Sequence, residues 1–153
     1  MNEVDVSSET VEPPPWLPDP SRVARIVYDE IRRKHWSVSI LLCGEPRIRE
    51  LNRAFRHIDE PTDVLTFGST ADTPSGSPIE GDIAIALPVV EANASTFGVP
   101  VQEEFLRVYV HALLHLAGYA HDGYDLASEG AADHPMLGLQ ERLVVRIEKE
   151  LCS

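Results

Sequence analysis

The chain has 153 residues, 43% of them apolar and 25% charged, the size and composition of one globular domain. Its formal charge of −12 excludes a protein that coats nucleic acid through bulk positive charge, because displacing counterions from phosphates needs cations. No run approaches the ~18 apolar residues of a bilayer-crossing helix, and the first twenty residues carry no Lys or Arg to begin a signal or transit peptide.

In chain order, residues 1–18 read as an acidic, proline-rich tail without an apolar period, expected to be disordered, and residues 19–153 as the folded domain. Asp19 or Ser21 caps a first helix whose apolar residues Val23, Ile26, Val27 and Ile31 keep a helical period. Trp36 to Leu42 is β-branched and partly alternating, a strand that Gly44 ends. Pro46 suits the first turn of a second helix, with Ile48, Leu51 and Phe55 on its apolar face up to about Arg56. Asp63–Phe67 and Gly81–Leu87 are short strands, the second apolar enough to be interior. Pro88–Phe97 is a helix ending at Gly98, Val101 to about Gly118 is the longest helical pattern, and Met136–Leu151 is the last helix. Helices interleaved with three or four strands predict one mixed α and β domain. Cys43 and Cys152 stand far apart and read as reduced thiols, which fits the cytoplasm.

Charge is sorted along the chain. Residues 1–21 are net −5, residues 22–56 net +5 and residues 57–133 net −12, with Arg107 the only Arg or Lys in the last stretch. Arg49, Arg53 and Arg56 fall at i, i+4 and i+7 on the second helix, away from its apolar stripe. These arginines form one basic stripe on an otherwise acidic protein.

Three of the six histidines lie within eleven residues: His111, His115 and His121. His111 and His115 are one helical turn apart, about 40° around the same face, so their imidazoles can bind one metal ion. On an unbroken helix His121 would point about 240° away from His115. Gly118 between them favours the left-handed conformation that ends a helix, which can bring His121 back. Three neutral imidazoles leave a tetrahedral ion one open position, the layout of a catalytic zinc site. The spacing is also that of the metzincin peptidases, whose first His is followed by a Glu general base. Here that position is Ala112, which removes the base and counts against peptide hydrolysis.

Four blocks together are similar to a known family: Leu51-Asn52-x-x-Phe55-Arg56, Pro61-Thr62-Asp63-Val64-Leu65-Thr66-Phe67, Gly81-Asp82-Ile83-Ala84-Ile85, and the His111–His121 segment. In this order and approximate spacing, over residues 20–150, the chain resembles the YbeY family of metal-dependent endoribonucleases, also described as rRNA maturation factors. The resemblance implies an α+β single domain, with a small mixed four-stranded sheet, about five helices and a metal site at the end of a long central helix. It implies a zinc ion on His111, His115 and His121, with Arg56 as the functional arginine beside it. It also implies cleavage of single-stranded RNA in small-subunit rRNA maturation and ribosome quality control, with rRNA and the small ribosomal subunit as partners and no membrane. Two positions depart from the family. Ala112 replaces the usual Gly after the first His, and Ala120 replaces the usual acidic residue before the third.

For RNA cleavage, a metal would relieve phosphate charge, Arg56 would clamp the phosphate through its planar fork, and the stripe Arg49, Arg53 and Arg56 reads as a track for RNA backbone. His57, Asp63 and Asp122 are the candidates for the leaving-group proton. Thr62 and Asp63 also suit a turn or cap. The alternatives are a ribosome-assembly factor whose metal is structural, and a metal-dependent peptidase.

Overall fold

The computed structural model describes residues 2–9, 11–68, 78–119 and 135–151. Among these, β1 (Glu3–Ser8), β2 (Trp36–Cys43), β3 (Val64–Gly68) and β4 (Ile79–Ala86) form one sheet in the order β1-β2-β4-β3. The first, second and fourth strands run parallel, while β3 returns antiparallel along the outer edge of β4. Five helices accompany the sheet: α1 (Pro20–Glu30), α2 (Glu45–Arg56), α3 (Leu87–Phe97), α4 (Val101–Leu116) and α5 (Pro135–Leu151). Residues 69–77 and Cys152 fall outside the described residues. Among the described residues no helix is long and apolar enough to cross a membrane.

The helix signals act where expected. The Asp19 carboxylate accepts the Ser21 N–H at 3.0 Å to cap α1. Prolines occupy the first turns of α1, α2 and α3. Gly98, at φ 68°, ends α3. One face of the sheet carries Val38, Ile40, Leu42, Ile83 and Ile85, and packs against α1, α4 and α5 in the main core. α4 runs through the middle of this layer with ten buried residues, each large one contributing about 1.5–3 kcal/mol by burial. Two buried tyrosines tie α1 to α4: Tyr28 Oη donates to the Leu113 carbonyl at 2.9 Å and Tyr109 Oη to the Pro20 carbonyl at 2.8 Å. The other face is covered only in part, where Ile48 and Leu51 of α2 meet Cys43, Leu65, Ala84 and Ala86. Phe55, placed by its spacing on the buried face of α2, is instead 64% exposed. Its ring meets that of Phe67, 5.1 Å between centroids and 65° between planes.

The N-terminal segment corrects the expectation of a disordered tail. Glu3–Ser8 is a strand, with Val4 opposite Val38 and Val6 opposite Ile40. Main-chain pairing to β2 holds it, and the Asn2 side-chain oxygen accepts the Trp36 N–H at 3.0 Å. Its side chains are almost all exposed, so the buried alternation that announces a strand is missing; Glu3 and Asp5 keep this edge unattractive to further strands. The stretch after the proline run also packs on the domain. Gln102 Nε2 donates to the Trp16 carbonyl at 2.8 Å, and the Trp16 ring stands edge-on to Phe105.

Candidate active site

The histidine-bearing turn of α4 sits against the outer strand because two glycines let it. Leu116 packs on β4 at Gly81, which pairs across the ladder with Gly68 of β3. This contact brings the last turns of α4 to β3. At its C-terminus, Ala117 and Gly118 close the helix with hydrogen bonds to the Leu113, Leu114 and His115 carbonyls. Gly118 is left-handed at φ 98°, the turn that its position predicted, and Arg33 Nη1 donates to the Ala117 carbonyl at 3.1 Å. His121 and Asp122, and likewise Ala120 and His134, lie outside the described residues.

His111 and His115 line a cavity of about 420 Å³ together with Arg56, Thr62, Asp63, Val64, Leu65 and Thr66. Arg56 comes from the opposite layer, as the last residue of α2. The helix stops there because His57 turns left-handed at φ 60° and its N–H bonds back to the Asn52 and Arg53 carbonyls. The loop that follows is fastened to buried Asn52: its Nδ2 donates to the Glu60 carbonyl at 2.9 Å, and its carbonyl accepts the Ile58 N–H at 3.3 Å. Asn52 thereby sets where α2 ends and where the chain re-enters the sheet at Asp63, whose carbonyl accepts the Ala86 N–H at 2.9 Å.

Of the polar residues weighed from sequence, Thr62 and Asp63 prove to be cavity wall as well as strand entry. Burial pushes the Asp63 carboxyl above its ordinary range, against the N–H groups of Asp63 and Val64 and the Thr62 hydroxyl, which favour its charged form. His57 is exposed and does not line the cavity. Asp82 belongs to a different hollow on the far face of the sheet, beside Phe55 and Phe67. Ala112 is fully buried in the core. Cys43 is a free, buried thiol, held by burial up to about 11.

The arginine stripe is unevenly free. Arg49 Nε donates to the Asp59 carboxylate at 2.9 Å, and this bond holds the Asp59 carboxyl below its ordinary range. Arg53 lies within the field of the same carboxylate, and Arg56 reaches the cavity.

Sequence reasoning missed Gln140 of α5. It is 1% exposed, and its Oε1 lies 2.8 Å from His111 Nδ1. Nothing in a helical apolar pattern marks such a residue except its polarity at a core position, 29 residues from its partner. Among the described residues no three His, Cys, Asp or Glu side chains gather to hold an ion. The two histidines on the cavity are one helical turn apart, and His121, the third ligand expected from sequence, lies outside the described residues. Imidazole donors one turn apart fit zinc and similar divalent ions.

The chain is similar to known proteins over nearly its whole length. The family model described as Endoribonuclease YbeY matches residues 20–147. The protein named Endoribonuclease YbeY in Treponema pallidum (strain Nichols) is 37% identical, covering 100% of this chain and 94% of its own. Its namesake in Treponema denticola is 35% identical, covering 95% of this chain and 93% of its own. Among solved structures, the solution structure of TM1509 from Thermotoga maritima is similar with a TM-score of 0.65 and 31% identity, over 97% of this chain and 91% of that one. The matched region contains both layers that meet at Arg56, His111 and His115, and the chain belongs to the YbeY endoribonuclease family.

Proposed function

We propose that this chain is a zinc-dependent endoribonuclease that cuts single-stranded RNA in the cytoplasm, in small-subunit rRNA maturation and ribosome quality control. The observation that carries the reading is one cavity in which an arginine from α2 and two histidines from α4 meet. Family membership supplies the bond that is cut.

His111, His115 and His121 would hold one Zn2+. When bound, the ion supplies Lewis-acid charge for a phosphate oxygen and for activating water. Arg56 holds the phosphate by two parallel N–H donors, a geometry that a lysine cannot reproduce. Asp63 is the half-buried carboxyl on the same wall, and its desolvation favours the protonated form. It would give that proton to the leaving oxygen as the P–O bond breaks, and solvent would take the proton of the attacking water and return one to the carboxylate. Arg53 and Arg56, with Arg49 beyond, lead the RNA backbone along α2 to the cavity. Peptide hydrolysis finds no support, since the position of the metzincin base is an alanine fully buried in the core.

The test is cleavage of a single-stranded rRNA fragment by zinc-loaded protein, beside a His115→Ala variant purified identically and shown to be folded by circular dichroism. The reading expects cutting by the wild type alone. Equal cutting by both, or by neither, contradicts it and leaves an assembly factor with a structural metal.

A further inference from the structure

The structure assigns Gln140 as a positioning residue that fixes the tautomer of His111, so that Nε2 is the lone-pair nitrogen offered to a metal. The inference rests on the metal-centre reading above.

The amide is oriented by its surroundings. Gln140 Nε2 donates to Glu141 Oε2 at 3.2 Å. That carboxylate is itself gripped by Arg107, whose Nε lies 2.9 Å from Oε2 and whose Nη2 lies 3.0 Å from Oε1. Arg107 also bonds Glu104, 4% exposed, and Glu103, both at 3.2 Å. Turning the amide over would set its oxygen against a carboxylate that has no proton to give. The NH2 group therefore faces Glu141, and Oε1 faces His111. An amide oxygen only accepts, so His111 Nδ1 at 2.8 Å carries the proton. In a neutral imidazole the other nitrogen, Nε2, then holds the lone pair. A ring that lines the cavity is thus set, before any ion arrives, in the form that a divalent metal requires. Arg107, Glu141 and Gln140 form a relay from the α4–α5 surface to the metal ligand, and Gln140 itself touches neither substrate nor ion.

The experiment reads the ring nitrogens of His111 by 15N NMR in metal-free full-length protein at about pH 8, above the ordinary imidazole range, and then zinc affinity by competition with a chelator. The wild type is expected to show the Nδ1–H tautomer. Gln140→Leu is expected to lose that preference and to bind zinc about 10–100-fold more weakly. Gln140→Glu combined with Glu141→Gln, which exchanges the two groups so that the amide still donates between them and Nδ1 keeps its acceptor, is expected to restore the tautomer and most of the affinity. An Nε2–H tautomer in the wild type overturns the inference without recourse to any variant. A folded Gln140→Leu protein with unchanged tautomer and affinity overturns it too. Wild-type protein that binds no zinc defeats the metal-centre reading instead, and the tautomer read in that same sample decides the role of Gln140 separately.

Discussion

Leu116 rests on the sheet where Gly81 leaves a gap: a β-carbon at that glycine would stand 2.6 Å from Leu116 Cδ2 and 2.7 Å from the Phe67 carbonyl oxygen. The contact seats the end of α4 on β4 and so determines how His115 meets β3. Gly81→Ala is expected to destabilise the protein by about 1–3 kcal/mol, the usual cost of overpacking, and to lower zinc affinity by moving the helix. Gly68→Ala is expected to cost more, because Gly68 also sits at φ 128° and its new methyl would collide with the Glu80 carbonyl. Urea denaturation of the metal-free variants measures both; wild-type midpoints would show that α4 is seated by other contacts.

Arg56 is exposed at the end of its helix, so its removal has little to unpack. Arg56→Ala is expected to reduce cleavage by about 10²–10³-fold, as losing one preorganised donor does, with a near wild-type unfolding midpoint. Arg56→Lys should recover only a small part, since a point charge does not replace the fork. Full recovery by lysine would mean that the site needs charge alone.

The ion pair between Arg49 and Asp59 predicts an order among the arginines of α2. Arg53→Gln should reduce the salt dependence of RNA binding by about 0.7 in log–log slope, one phosphate contact on a single strand. Arg49→Gln should change it less, because Asp59 already compensates that charge. Asp59→Asn should tighten binding by releasing Arg49. Binding curves over a salt series test all three, and a slope unmoved by Arg53→Gln removes the proposed track.

Burial holds the Asp63 carboxyl above its ordinary range, and the sign of the linkage follows. The folded state keeps a proton that the unfolded state loses near pH ~3.9. Asp63 therefore lowers stability as pH rises from there through its folded value, and the deficit persists at neutral pH. Metal-free Asp63→Asn is expected to be more stable than wild type at pH 7, with the gap closing toward pH ~3.5, while its RNA cleavage falls. A less stable variant at pH 7 would mean that the Asp63 and Val64 N–H groups outweigh burial.

Much of the architecture was legible because it is carried by periodic apolar residues. The interior strands, the five helices and the stops at Gly98 and Gly118 each have a local cause that can be read along the chain. Strand β1 was not legible: it is held by backbone pairing at an exposed edge and buries too little side chain to leave a pattern. The histidine pair follows from helical spacing, whereas its meeting with Arg56, across two layers, came from resemblance to a family. Gln140 could be found only in three dimensions. Its meaning lies in a contact between α4 and α5, and alone it looks like an ordinary polar residue on an amphipathic helix. Asp63 reads from sequence as a strand-entry residue and as one of three candidate proton donors; its place on the cavity wall depends on the loop that Asn52 fastens behind Arg56, which no local pattern announces.

The central claim is that the cavity shared by Arg56, His111 and His115 cleaves RNA through one bound ion. The most direct test titrates metal-stripped protein with Zn2+ and follows bound metal and RNA cleavage in the same samples. The account predicts that cleavage is absent without metal, rises in step with bound zinc and breaks at one ion per chain, and that His115→Ala shows neither the tight ion nor the activity. Cleavage by stripped protein, or one tightly bound ion without cleavage, would contradict it.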